Sequence, residues 1–316
     1  MHHYLLTAPA KINLHLEIIG DRADGYHELV MILQGIALED RIEIHAGSTQ
    51  NILLYCEHPD VPLGANNIAY KAAQLMCREY PQAYAQYGGL EIAIDKKIPV
   101  AAGLAGGSTD AAAVLVGINL LWKLGLTQPE LQTLASQLGS DIPFCLEGGT
   151  ALALGRGEEL SALDGLHQGT VILAKHRNLF VSTAWAYQTY REQFEPTYLK
   201  APEAIELRKK EAHAADLVSA IAQHDYPKVG KLLYNDLEKV VFPAYPKVEA
   251  LKLAFQEENE VLGAMMSGSG PTIFALCSAN AVAEKIVENV RSKINDSTVD
   301  FWITELTTHG IQVKSF

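Results

Sequence analysis

From residue 101 to 111 the chain reads Ala-Ala-Gly-Leu-Ala-Gly-Gly-Ser-Thr-Asp-Ala, and Ala112, Ala113, Val114, Leu115 and Val116 follow without a break. Three glycines and four alanines in eleven residues leave the backbone nearly bare, and the apolar run behind them predicts a helix. Bare backbone can approach a neighbour closely, while a helix start adds unpaired N–H donors and the positive end of its dipole. Such a turn serves one of two ends: tight helix packing, or a cradle for an anion such as phosphate. Ser108 or Thr109 is expected to cap the helix, with Asp110 in its first turn. Neither of the two commonest cradles is present. No Lys follows the glycines, and Gly103, Gly106 and Gly107 miss the G-x-G-x-x-G spacing.

A chain of 316 residues can bury a sizeable core and suggests about two domains. We place them at 1–160 and 161–316, across a Gly- and acid-rich stretch at 154–168. The net charge of −12 and the lack of a basic run argue against nucleic-acid or anionic-membrane partners. An anionic small molecule stays compatible if positive potential is local to one site. Cys56, Cys77, Cys145 and Cys277 are scattered without C-x-x-C or metal-ligand spacing, as expected of reduced thiols. No signal or transit peptide fits the N-terminus, and the apolar run at 111–122 is too short to span a bilayer. The expected location is cytoplasmic. His2-His3 reads as incidental.

Residues 11–18 alternate strictly, with Lys11, Asn13, His15 and Glu17 on one side and Ile12, Leu14, Leu16 and Ile18 on the other. That period predicts a half-buried strand with Pro9 at its start. A turn-rich loop at 20–25 then presents Tyr26 and His27; strands are expected at 29–38, 41–45, 51–56 and 90–94 and a helix at 67–80. Thr127-Gln-Pro-Glu130 has the form of a capping box, and Gly139 a helix stop. Asp141 follows in Gly139-Ser-Asp-Ile-Pro-Phe144, where it can cap the next turn or serve chemistry. Gly155-Arg156-Gly157 closes the glycine-rich half.

The second half reads as a strand at 171–174, helices at 183–192, 214–224, 227–240 and 247–256, and strands at 261–266 and 272–277. A helix at 281–293 and a strand at 299–304 complete an α+β layer. Ser267-Gly268-Ser269-Gly270-Pro271 lies between two apolar strands, either as a plain hairpin turn or as a second backbone wall facing the first glycine loop.

Three ordered segments resemble the motifs of the GHMP kinases, the superfamily of galactose, homoserine, mevalonate and phosphomevalonate kinases. They are Pro9-Ala-Lys-Ile-Asn-Leu14, the run from Pro99 and Val100 through Ala101, Ala102, Gly103, Leu104, Ala105, Gly106, Gly107 and Ser108 to Thr109, and Gly268-Ser269-Gly270. Arg22-Ala-Asp-Gly-Tyr-His27 and Gly139-Ser-Asp141 resemble the branch whose acceptor is a cytidine-diphosphate-linked methylerythritol. The likeness covers nearly the whole chain. It implies an α+β fold of two domains, the first like the second domain of ribosomal protein S5 and the second ferredoxin-like, with ATP and acceptor meeting between them.

It also implies roles. Lys11 and Asp141 match the catalytic pair, Asp141 accepting the hydroxyl proton and Lys11 offsetting the charge that develops. The segment from Pro99 to Thr109 would wrap the ATP phosphates, with Asn67 and Lys96 near the adenine. Mg2+ would bridge phosphate oxygens, with Ser108 as a candidate ligand and no dedicated protein metal site. Asn13, Tyr26, His27, Tyr187, Gly268, Ser269 and Gly270 would bind the cytidyl substrate, its base lying between Tyr26 and Tyr187 and read by His27. Alanines at 101, 102 and 105, where relatives often carry glycine, are expected to keep negative φ. A mevalonate- or homoserine-type acceptor would leave Tyr26-His27 without use, and a non-catalytic relative would not need both Lys11 and Asp141.

Overall fold

The computed structural model describes residues 3–47, 49–211 and 214–314, so His2 lies outside the described residues. β1 (His3–Asp21) and β2 (His27–Ala46) form one long antiparallel hairpin. The two strands expected at 29–38 and 41–45 are therefore a single strand. Polar residues at its middle stay in it because its two halves serve different neighbours. Residues 29–34 pair with β5 (Thr150–Gly155) and residues 41–46 with β4 (Leu90–Asp95). β3 (Ile52–Cys56) adds parallel to β4, and β6 (Glu159–Ala162) adds to β5.

Helices α1 (Ile68–Glu79), α2 (Pro81–Tyr87), α3 (Gly106–Leu121), α4 (Gln128–Ser136) and α5 (Ile142–Glu147) complete this half. The Thr127–Glu130 capping box forms as expected. α3 is the central helix, buried almost throughout, and Val114, Leu115 and Ile118 are fully shielded. Its small residues set the packing distance. A Cβ at Gly117 would come within 2.7 Å of Ile44 Cγ2 on β2, so only glycine lets helix and sheet meet there. Each fully buried aliphatic side chain in this layer contributes roughly 1.5–3 kcal/mol.

After Ala162 the chain leaves the first sheet and enters the second at β7 (Thr170–His176). The helices α6 (Thr183–Phe194), α7 (Pro202–Glu211), α8 (Ala214–Ala222) and α9 (Tyr226–Lys231) follow. Then come β8 (Tyr234–Asn235), α10 (Glu238–Ala244), α11 (Pro246–Gln256), β9 (Val261–Met266) and β10 (Ile273–Cys277). α12 (Ala283–Ile294), β11 (Val299–Glu305) and β12 (Gln312–Lys314) end the described chain. The second sheet runs β11-β7-β10-β9, antiparallel throughout, which is the ferredoxin-like strand order.

The helix expected at 227–240 is interrupted. Tyr234 and Asn235 leave helical geometry to pair parallel with His15 and Leu16 of β1, a long-range contact that no local propensity encodes. β12 likewise returns to β1, pairing Leu5–Thr7 with Gln312–Lys314. β8 and β12 extend the sheet at the edges of β1, and a register shift between Asn13 and His15 breaks the expected alternation, so that Ile12 and Leu14 pack in one core cluster and Leu16 and Ile18 in another. Lys11, Asn13, His15 and Glu17 are all buried. Pro9 sits within the strand at a shift of register, which explains how a residue without an N–H is tolerated there. Among the described residues no helix is long and apolar enough to cross a membrane.

Candidate active site

A cleft of about 1080 Å³ lies between the two halves, lined by Lys11, Asn13, most of the glycine loop, Asp141, Tyr26, His27, Tyr187, Gly268 and Ser269, whereas Leu104, Thr109 and Gly270, expected to bind ligand, are not in its lining. β1 supplies its floor. Lys11 Nζ donates to Asn13 Oδ1 at 2.7 Å and lies 3.7 Å from Asp141 Oδ2. The ammonium is 5% exposed and the carboxylate 34%, so the cation is desolvated while the anion faces the cleft. A buried ammonium is tolerated because an amide oxygen and a carboxylate replace its water. Asp141 occupies the N-cap position of α5, yet its side chain makes no capping bond. The carboxylate is left to Lys11 and to whatever enters the cleft.

The glycine loop departs from expectation in two respects. α3 begins at Gly106, with Ala105 as its N-cap residue and no side-chain cap, so Ser108 and Thr109 lie inside the helix. Asp110 is deeper still, where it pairs with Lys96 Nζ at 2.6 Å. In addition, Ala101 and Ala105 adopt φ of +49° and +58°, the left-handed region, in place of the expected negative φ. That conformation costs an L-residue about 1–2 kcal/mol. It turns the loop back over β1, where Lys11 N–H donates to Leu104 O at 3.1 Å.

The Ser267–Pro271 segment is both of the things the sequence allows. It closes the β9–β10 hairpin through Ser267 N–H to Thr272 O (2.9 Å), and it forms the wall opposite the glycine loop. Ser267 Oγ donates to Gly103 O at 2.9 Å, and a Cβ on Gly103 would sit 2.1 Å from Ser267 O. Ser269 Oγ contacts Thr183 Oγ1 at 2.8 Å at the start of α6. Asn235, which no sequence motif singles out, holds this wall. Its Nδ2 donates to Met266 O and Gly268 O, each at 2.8 Å, and its Oδ1 accepts from Leu237 N–H at 2.9 Å. An Asn beside Asp236 between two helical stretches is its one signal in the sequence.

At the other end, His27 is buried and its ring lies 5.2 Å from Tyr187 and 5.8 Å, edge-on, from Tyr198. Burial, with the Arg191 charge nearby, pulls its pKa from 6.5 to about 4 despite Asp21 at 3.8 Å. The ring is therefore neutral at physiological pH, and its Nε2 has no hydrogen-bond partner among the described residues. Tyr26 stands 54% exposed at the rim.

Two expected adenine-side residues are engaged elsewhere. Asn67 caps α1, accepting from Ala69 N–H at 2.8 Å and donating to Pro62 O at 2.8 Å. Lys96 lies buried between Asp40 Oδ2 (2.5 Å) and Asp110 Oδ2 (2.6 Å). Burial alone would depress its pKa, yet the two carboxylates outweigh it and raise it, while burial lifts Asp110 well above the carboxylate range. Both residues still line the cleft, together with Arg156 and Arg191, two cations that no motif assigns to it. The four cations of the lining, Lys11, Lys96, Arg156 and Arg191, are matched there by four acids, Asp60, Asp110, Asp141 and Glu192, and each cation is paired with a carboxylate.

Residues 67–149 match the family description "GHMP kinases N terminal domain" and residues 217–296 match "GHMP kinases C terminal". The chain is 55% identical over 314 residues to 4-diphosphocytidyl-2-C-methyl-D-erythritol kinase of Gloeothece citriformis, covering 99% of each. It is 53% identical over 315 residues to that of Synechocystis sp., covering 100% of each. A solved 4-(cytidine 5'-diphospho)-2C-methyl-D-erythritol kinase superposes with a TM-score of 0.72 at 31% identity, over 97% of this chain and 99% of that one. A homoserine kinase from Cytophaga hutchinsonii, at 19% identity and a TM-score of 0.75 over 99% and 98% of the two chains, shares the fold. With both family domains in order, relatives matched end to end and the cleft formed where their motifs converge, the chain is a member of the GHMP kinase family.

Proposed function

We propose that this cleft transfers the γ-phosphate of ATP to the 2-hydroxyl of 4-diphosphocytidyl-2-C-methyl-D-erythritol, giving the 2-phosphate and ADP. The observation that carries the reading is the position of Lys11 and Asp141 in one cleft, with the glycine loop and the rings of Tyr26, His27 and Tyr187 in the same lining. The relatives at 53–55% identity bear the corresponding name.

In this reading Asp141 accepts the hydroxyl proton as the O–P bond forms, and the bond between the β,γ-bridging oxygen and Pγ breaks to release ADP. Lys11 offsets the negative charge that builds on the transferring group. Because the transition state is loose, alignment by the two loops matters more than base strength. The free N–H groups of the first turn of α3 and the loop before it bind the ATP phosphates. Neutral His27 and the ring of Tyr187 receive the cytosine, with Tyr26 at the rim. Base stacking contributes roughly 1–3 kcal/mol per ring. Asn13 orients the methylerythritol end beside Lys11.

Mg2+ would be held here mainly by phosphate oxygens and water, with Ser108, which lines the cleft, as a candidate ligand. The described residues contain no group of three His, Cys, Asp or Glu side chains that would hold it alone. When bound it supplies charge neutralisation at the phosphates. All four cysteines are free thiols, in keeping with the cytoplasmic setting we propose.

An ADP-release assay with Mg-ATP, run in parallel with the cytidyl substrate, mevalonate and homoserine, tests the reading. Turnover confined to the cytidyl substrate is expected. Turnover on either of the others would remove the base pocket from the proposal.

A further inference from the structure

The Gly155-Arg156-Gly157 turn, prominent in the sequence, has no part in the phosphoryl transfer itself. It joins β5 to β6, and both glycines take positive φ, +69° and +112°. A Cβ on Gly157 would come within 2.6 Å of Met31 Cε, so the turn sits tightly against β2. The β2–β5 register pairs Leu29 with Gly155. Arg156 therefore emerges beside the segment that delivers Tyr26 and His27 to the cleft.

Its side chain uses that position. The guanidinium carbon lies 5.0 Å from the centroid of the Tyr26 ring. Glu158 fixes the arginine twice, accepting from its Nε at 3.0 Å and from its backbone N–H at 2.7 Å. The arginine side chain is 27% exposed while Tyr26 is 54% exposed. With a guanidinium over one face, the uncovered face of the phenol is the one a planar ligand can reach. A guanidinium is planar, weakly hydrated and suited to stacking on an aromatic face, in all of which an ammonium differs.

We infer that Arg156 is a specificity-determining positioning residue for the nucleobase end of the acceptor, acting through Tyr26. It covers one face of the ring, Glu158 anchors it, and the other face is held open for a pyrimidine. The resulting stack is guanidinium, phenol, base. This rests on the cytidyl reading of the cleft, so the test must separate the two.

The probe is cytidine 5'-diphosphate, titrated calorimetrically into the full chain, with ATP titrated separately and steady-state turnover measured alongside. Arg156→Ala is expected to weaken cytidine diphosphate binding and raise the KM for the cytidyl substrate by about threefold to tenfold, the range of a partly exposed cation–π contact. ATP affinity and kcat should move by less than about twofold. Arg156→Lys should lose nearly as much as Arg156→Ala, because charge without a planar face does not restore the stack. In a Tyr26→Ala background, Arg156→Ala should have no further effect. Unchanged affinity in Arg156→Ala, full affinity in Arg156→Lys, or the same loss in both backgrounds would each overturn the inference. The last outcome would mean that Arg156 meets the substrate's own phosphates. Failure of the unaltered chain to bind cytidine diphosphate would instead bring down the cytidyl reading and this inference with it.

Discussion

Lys11 Nζ stands 3.7 Å from Asp141 Oδ2 while it donates to Asn13 Oδ1 at 2.7 Å. One cation from β1 is thereby shared between a carboxylate at the start of α5 and an amide two residues along its own strand. The amide holds the ammonium in place, and the carboxylate, a third exposed, is the partner that can turn to a substrate hydroxyl.

Asp141→Asn keeps the size of the side chain and removes the proton acceptor. The kcat should fall by about 100-fold or more, the usual share of a positioned base, while ATP affinity changes by less than about twofold. Turnover by ADP release and ATP binding by calorimetry measure the two separately. Retained turnover would remove Asp141 from its role.

His27 gives a pH signature. Its folded pKa of about 4 lies below the ordinary 6.5, because burial disfavours the imidazolium. The unfolded chain therefore binds a proton at His27 before the folded one does. The stability tied to neutral His27 is whole above pH 6.5 and is lost as the pH falls from 6.5 towards 4. Thermal melts of the parent chain and His27→Gln across that interval should converge as the pH falls. In kinetics, His27→Ala should raise the KM for the cytidyl substrate more than the KM for ATP, and equal effects would argue against base recognition.

Asn235 should behave as a support for the wall opposite the phosphate loop. Asn235→Ala leaves the buried carbonyls of Met266 and Gly268 without their donor, a loss of roughly 1–3 kcal/mol in stability. Because Ser267 bonds to Gly103 from that wall, kcat should drop as well. Denaturant unfolding and turnover check the pair, and an unaltered kcat would uncouple the wall from the chemistry.

The loop residues should respond in opposite directions to adding and to removing a methyl group. Gly103→Ala places a methyl 2.1 Å from Ser267 O at a φ of +75° and should weaken ATP binding by about tenfold or more. Ala101→Gly or Ala105→Gly relieves a left-handed alanine and should raise stability by about 0.5–1 kcal/mol. Melting temperatures and ATP titrations of these variants test both statements.

Much of the site is local chemistry and is legible in the amino-acid sequence alone. The bare loop from Pro99 to Thr109, the capping box at Thr127, and the order of Lys11, Tyr26-His27, Asp141 and Gly268-Ser-Gly270 are all encoded within short windows. Steric freedom, helix caps and period-2 alternation act over a few residues, so a linear reading finds them. Tertiary structure decided the rest. Asn235 leaves a helical segment because β1 offers it a strand to pair with, at Leu16, far back along the chain. β1 gains β8 and β12 as hydrogen-bonded neighbours from the second half of the chain, and its register shift after Asn13 sends Leu16 and Ile18 to a different core cluster from Ile12 and Leu14. Ser267 gains its role only when Gly103 comes within reach, and Arg156 only when the β2–β5 register sets it over Tyr26. Local sterics are written residue by residue, whereas pairings between distant segments exist only once the chain has closed on itself.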